Sequence, residues 1–156
     1  MAGISSFGAY VPLWRLGPET KGWTSPVERS VASYDEDSVT MAVAASIDCL
    51  DLLDRHKVDA LYFASTTPPY KEKQAAVIVA AAADLRHSVF IADFTGTTRA
   101  GTIALRAAID AVKAGSAKQV LVVAADMRPA MARSGDETSF GDGAVAMVVE
   151  EAGVAV

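Results

Sequence analysis

The stretch "ADFTGTTRAGTIALRAA", residues 92–108, reads as the end of an apolar strand that turns sharply into a helix. The helical pattern continues as "TRAGTIALRAAIDAVKAG" (98–115), with Gly115 placed to end it. Ala100, Ile103, Ala104, Leu105, Ala107, Ala108, Ile109, Ala111 and Val112 surround most of its circumference. A helix that is apolar nearly all round is covered on all sides. One α/β layer would cover a single side, so the pattern predicts a second layer of protein, from more chain or from another subunit.

The flanking segments alternate in type. "GISSFGAYV" (3–11) reads as a first strand, and residues 12–37 as a long irregular region punctuated by Pro12, Gly17, Pro18, Gly22 and Pro26. Residues 38–55 form a helix capped by Asp37 or Ser38, with Asp35 and Glu36 at its positive end. Its apolar face is Val39, Ala42, Val43, Ile47, Leu50 and Leu53. "ALYFAST" (60–66) is a buried strand broken by "TPPY", and residues 73–85 are helical. "SVFIADF" (88–94), "KQVLVVAAD" (118–126) and "GAVAMVVEE" (143–151) are further strands. Alternating strands and helices, with strands buried on both faces, indicate an α/β layer structure.

Composition narrows the classes. The 156 residues suffice for one domain, 51% are hydrophobic and 21% charged, and the net charge is −5. A nucleic-acid partner would call for a basic stripe, and the basic residues are scattered apart from "KEK" (71–73), read as a solvated helix end. No apolar run reaches the roughly 18 residues of a membrane span. The first residues, "MAGISSFGAYVPLWR", carry no secretory pattern, and a reducing, cytoplasmic setting is expected. Cys49 is the one cysteine, which leaves no intrachain disulfide and no cysteine-based metal site. It reads as a packed residue inside its helix.

Four blocks in register resemble the thiolase superfamily: "ERSVASYDEDSVTMAVAA" (28–45), "LYFASTTPPY" (61–70), "ADFTGTTRAGTIAL" (92–105) and "SFGDGAVAMVV" (139–149). The similarity is to the branch of archaeal-type 3-hydroxy-3-methylglutaryl-CoA synthases and ketoacyl synthase III, over the N-terminal half. The resemblance implies a mixed five-stranded sheet with helices on both faces, one half of an αβαβα layered assembly. It implies a single half-domain over residues 1–156. It also implies a coenzyme A thioester as substrate or ligand, with no permanently bound cofactor and no metal.

By the same resemblance, a nucleophilic cysteine opens the helix of the elbow, and Thr98 stands at that position. A threonine hydroxyl attacks only with a strong base beside it; Asp93 lies several residues back and Arg99 is no base. Thr98 also reads as a helix cap. The family's glutamate, a general acid–base after its second strand, corresponds to Thr66, which transfers no proton near neutrality. His56 and His87 fall in surface turns. Gly141 and Gly143 of "GDG" suit a turn needing positive φ or close backbone approach, near the active site by resemblance. Trp23 and Arg29 lie where relatives bring loop residues towards CoA; packing is the other reading of Trp23.

Two functions are compatible with these residues. One is an acyl-CoA-processing component that makes or cleaves a carbon–carbon bond without an acyl-cysteine. The other is a non-catalytic structural or regulatory subunit of a thiolase-type complex. The implied partners are acyl-CoA, a thiolase-type C-terminal half or catalytic subunit in a homo- or hetero-oligomer, and a small acyl-CoA-binding protein with an OB-fold and zinc ribbon.

Overall fold

A computed structural model describes residues 2–154; Met1 and residues 155–156, which the predicted domain includes, lie outside the described residues. The elements in chain order are β1 (Gly3–Tyr10), β2 (Trp14–Leu16), β3 (Arg29–Val31), α1 (Ser38–Cys49), β4 (Ala60–Ser65), α2 (Ala76–Ala82), β5 (Phe90–Thr95), α3 (Ala100–Lys113), β6 (Gln119–Asp126), α4 (Gly135–Ser139) and β7 (Gly143–Glu150). Five strands form one mixed sheet in the order β1-β7-β6-β4-β5. β4 pairs in parallel with β5 and β6, while β7 is antiparallel to β6 and β1. The predicted long loop holds a small antiparallel pair, β2 with β3.

Side chains of β4 alternate between two cores, as the period of a strand requires. Leu61 and Phe63 point to the side of α1 and α2, joined there by Leu121 and Val123 of β6. Ala60, Tyr62 and Ala64 point to the side of α3, with Val120 and Val122. Every residue of β4 is buried, the mark of a central strand covered on both faces. β5 departs from the expectation of a buried strand: it is the sheet edge, with Phe90 exposed.

Helix α1 begins where Asp37 accepts from the backbone N–H of Val39 and Thr40, and Thr40 Oγ1 accepts from the N–H of Asp37. This reciprocal cap satisfies amides that a helix start leaves orphaned. The helix stops at Cys49 rather than at residue 55, and Ile47 of the predicted apolar face is exposed. Cys49 is buried, and loss of solvation raises its thiol pKa above the ordinary range. β1 crosses α1 at Gly8, where an added Cβ would stand 2.3 Å from the Cys49 nitrogen and 2.6 Å from the Ala45 oxygen.

Within this chain the sheet covers one side of helix α3, as the sequence reading expects of a single α/β layer. Ala100, Ala104, Ala108 and Val112 form one buried stripe against the sheet. The opposite face carries Thr102, Arg106 and Asp110, the last two joined as an ion pair, beside Ile103 at 46% exposure. Alanines at i, i+4 spacing bring the helix close to the strands. The chain is therefore three layers, α1 and α2 over the sheet over α3. α3 is amphipathic; counting apolar residues without counting Thr102, Arg106 and Asp110 overstated its apolar circumference.

At the amino ends of β4 and β6, Asp59 accepts from the backbone N–H groups of Lys118 (2.7 Å) and Gln119 (3.2 Å) and pairs with Arg86. Burial pushes its carboxyl pKa up, but the two amides and the guanidinium outweigh burial and hold it below the ordinary value. A carboxylate depressed in the folded state stabilises above its unfolded pKa, and that contribution is lost as pH falls through the folded pKa. Urea unfolding followed from about pH 7 to about pH 3 is expected to show a shallower acid loss for Asp59→Asn than for the wild type. Gly8→Ala is expected to lower the thermal midpoint by roughly 3–10 °C, from about 1–3 kcal/mol of overpacking between β1 and α1; an unchanged midpoint would refute the contact.

Candidate active site

The connections around β4 create a crevice. The chain leaves β4, passes through α2 on one face and returns as β5 on one side of β4. It then passes through α3 on the other face and returns as β6 on the opposite side of β4. The carboxyl ends of β4 and β6 thus lie at the point where the strand order reverses, the place where open α/β sheets bind ligands.

Side chains from these ends converge. Asp126, the last residue of β6, sends Oδ1 across to the end of β4. Ser65 Oγ (3.0 Å), Thr66 N (2.6 Å), Thr66 Oγ1 (2.9 Å), Thr67 N (3.1 Å) and Thr67 Oγ1 (3.1 Å) all donate to it. Thr67 Oγ1 accepts in turn from the N–H of Met127 at 3.0 Å, and Thr67 O accepts from Ser38 Oγ at 2.9 Å. Arg128 Nη1 donates to Thr66 Oγ1 at 2.7 Å, and its guanidinium lies 4.9 Å from the centre of the Phe140 ring. Thr66, Thr98, Asp126, Arg128, Phe140 and Gly141 line one cavity of about 210 Å³.

Thr66 and Thr98, 32 positions apart in the sequence, therefore face the same small space. Thr98 does not cap α3: it lies in the turn before it, the cap position belongs to Arg99, and no side chain caps the helix. Among the described residues nothing hydrogen-bonds Thr98 Oγ1, so no base is placed to activate it. The turn is made by Gly96, at φ 78°. Asp93 points away from the cavity and caps α2 through the N–H groups of Ala75 (2.7 Å) and Ala76 (2.9 Å).

A second polar cluster braces the site. Asp142 accepts from the N–H of Ala32 (2.8 Å), the N–H of Arg128 (2.8 Å) and Arg29 Nη2 (3.2 Å). Arg29 is 9% exposed and also donates to the backbone oxygens of Glu137 and Arg128. This arginine, expected to reach towards CoA, is consumed in holding the β2–β3 pair against the start of β7. Trp23 donates to the Val27 oxygen at 3.0 Å within its own loop and does not line the cavity. Neither Gly141 nor Gly143 has positive φ. Close approach explains both: an added Cβ would stand 2.6 Å from Ser30 Oγ at Gly141 and 3.2 Å from the Tyr10 oxygen at Gly143. His56 and His87 are exposed and remote from this cavity.

The family described as 3-oxoacyl-(acyl-carrier-protein) synthase III matches residues 92–155. The fold is thiolase-like. The chain is 36% identical over 159 aligned residues to the hydroxymethylglutaryl-CoA synthase of Pyrococcus furiosus, covering 96% of this chain and 45% of that protein. The synthase of the same name from Methanocella arvoryzae is 33% identical, over 96% of this chain and 47% of its own length. Ketoacyl synthase III from Thermus thermophilus superposes with a TM-score of 0.84 at 30% identity, over 96% of this chain and 51% of that one. A hydroxymethylglutaryl-CoA synthase solved in complex with CoA superposes at 0.88 with 23% identity, over 97% and 42%. The thiolase-like chain spans about half the length of the curated relatives it matches.

Sequence reasoning missed Asp126, Arg128 and Phe140. The signal was present for the first two: an almost wholly apolar strand that ends in "DMR" at the switch point of an α/β sheet. Breaking the buried Arg29–Asp142 pair leaves an uncompensated charge. Arg29→Met is expected to destabilise by about 3–5 kcal/mol in denaturant unfolding, whereas Trp23→Ala costs under about half as much. Equal effects would return Arg29 to the surface.

Proposed function

We propose that this chain contributes one half of a site that acts on acyl-CoA thioesters, forming or cleaving a carbon–carbon bond without an acyl-cysteine intermediate. The observation that carries the reading is the convergence of Thr66 and Thr98 on one cavity with no thiol present. The matched relatives are named as hydroxymethylglutaryl-CoA synthases, and one structural neighbour was solved with CoA, which supports a thioester ligand.

Aldol and retro-aldol chemistry at a thioester needs an enolate. A base removes a proton from the carbon next to the thioester carbonyl, and hydrogen-bond donors hold the charge that collects on the oxygen. The chain offers donors: the Thr98 hydroxyl and the amides of the first turn of α3. It offers no base in the cavity beyond Asp126, whose Oδ1 is surrounded by donors. The base comes from the rest of the assembly, a thiolase-type C-terminal half or a catalytic subunit. In this reading the chain works inside an oligomer in the reducing cytoplasm, with an OB-fold and zinc-ribbon protein as acyl-CoA carrier.

A second reading, a non-catalytic subunit that shapes the acyl-CoA tunnel of a partner, is favoured by one observation: Thr98 Oγ1 has no activating neighbour. Intact-mass measurement after incubation with acetyl-CoA tests the absence of an acyl-enzyme, which both readings share. The wild type is expected to remain unmodified, while Thr98→Cys gains one acetyl group because the turn and helix start still present the side chain. Acetylation of the wild type that Thr98→Ala abolishes would overturn the absence of an acyl-enzyme. Turnover of acetoacetyl-CoA by the assembled protein, lost on removal of this chain's Thr98 side chain, separates the catalytic reading from the structural one.

A further inference from the structure

Arg128 stands two residues beyond the end of β6, half-buried, and its guanidinium is fixed rather than mobile. Nη1 donates to Thr66 Oγ1 at 2.7 Å, the Phe140 ring lies 4.9 Å from the guanidinium carbon, and the residue's own backbone N–H is anchored on Asp142 at 2.8 Å. Thr66 is itself oriented by Asp126. Ion pairs among the described residues join Arg29 to Asp142, Arg86 to Asp59 and Arg106 to Asp110; none includes Arg128. Its Nε and Nη2 make no hydrogen bond to a described residue. A guanidinium held in place, half-buried, with one edge of its fork unused among the described residues is a ready partner for a planar anion.

The shape of that anion follows from the donor. Nε and Nη2 form the side-on edge of a planar fork, which matches the two oxygens of a carboxylate. The cavity that Arg128 lines, about 210 Å³, is smaller than pockets that hold a whole drug-sized ligand and suits a short acyl chain. A carboxylate side chain at position 66 would neutralise Arg128 from within; threonine orients it and leaves its charge for a ligand.

We infer that Arg128 is the specificity residue of this cavity, pairing through its Nε–Nη2 edge with a carboxylate at the far end of the acyl chain. The inference rests on the acyl-thioester reading for the identity of the chain and adds the class of acyl group: one that ends in a carboxylate. Thr66 and Phe140 are positioning residues for the guanidinium, and the threonine found where the resemblance expects a glutamate acquires a role.

The test is calorimetric titration of the assembled protein containing this chain with succinyl-CoA, with 4-methylpentanoyl-CoA as its uncharged near-isostere, and with free succinate. The wild type is expected to bind succinyl-CoA about 30-fold or more tightly than the isostere. Arg128→Met erases that preference by weakening succinyl-CoA alone, with the isostere within about twofold of the wild type. Thr66→Glu does the same by supplying an internal counter-ion, and it keeps the arginine should Arg128→Met fail to fold. Three results would overturn the inference: no preference in the wild type, equal losses for both thioesters in Arg128→Met, or a preference that survives both substitutions. Binding of free succinate that depends on Arg128, with neither thioester bound, would keep the carboxylate subsite and remove the acyl-CoA reading. Binding of none of the probes would remove both.

Discussion

A single carboxylate oxygen organises the end of the sheet where ligands are expected. Asp126 Oδ1 gathers hydroxyl and amide donors from Ser65, Thr66 and Thr67, and so ties the end of β6 to the end of β4. These strands are neighbours in the sheet, but the chain that follows each goes a different way: β4 leads through α2 to the edge strand β5, and β6 leads through α4 to β7 on its other side. Without a crosslink at their carboxyl ends, the residues that follow would have no fixed relation to each other. With it, the Thr66 hydroxyl has one orientation, and Arg128, which donates to that hydroxyl, has one as well.

The second brace serves the same space from the far side. Asp142 sits between two glycines whose missing side chains let β3 and β1 approach it closely. It collects the Arg29 guanidinium and the amides of Ala32 and Arg128. Asp126, which lines the cavity, gathers its donors on Oδ1, and Asp142 beside the cavity is held through both oxygens by donors of the chain itself. Arg128 thus lies two positions from Asp126 in sequence and close to Asp142 in space, and forms no ion pair with either.

Much of the scaffold was legible because its causes are local. Asp37 before an apolar run is a cap wherever it occurs, and the continuous apolar character of "ALYFAS" can only be a strand covered twice. Thr66 and Thr98 were also legible as a pair, though only through the order of four sequence blocks. Other features resisted because their causes are distant. Arg29 reads identically as a phosphate ligand or as a buried strut; only the arrival of Asp142, 113 positions later, decides between them. β5 reads as buried, yet its place at the sheet edge depends on which neighbour β4 accepts on each side.

By itself, the sequence determined the class of fold, the run of elements and the absence of a thiol at the elbow, since these depend on hydrophobic period, caps and residue identity within a short window. Only the tertiary structure decided that Asp126 clamps two strand ends, that Arg128 faces the cavity with no counter-ion among the described residues, and that the sheet covers only the alanine stripe of α3. Those outcomes turn on which side of β4 the chain returns to after each helix. That choice is made by packing whole elements against one another, and no short window of sequence contains it.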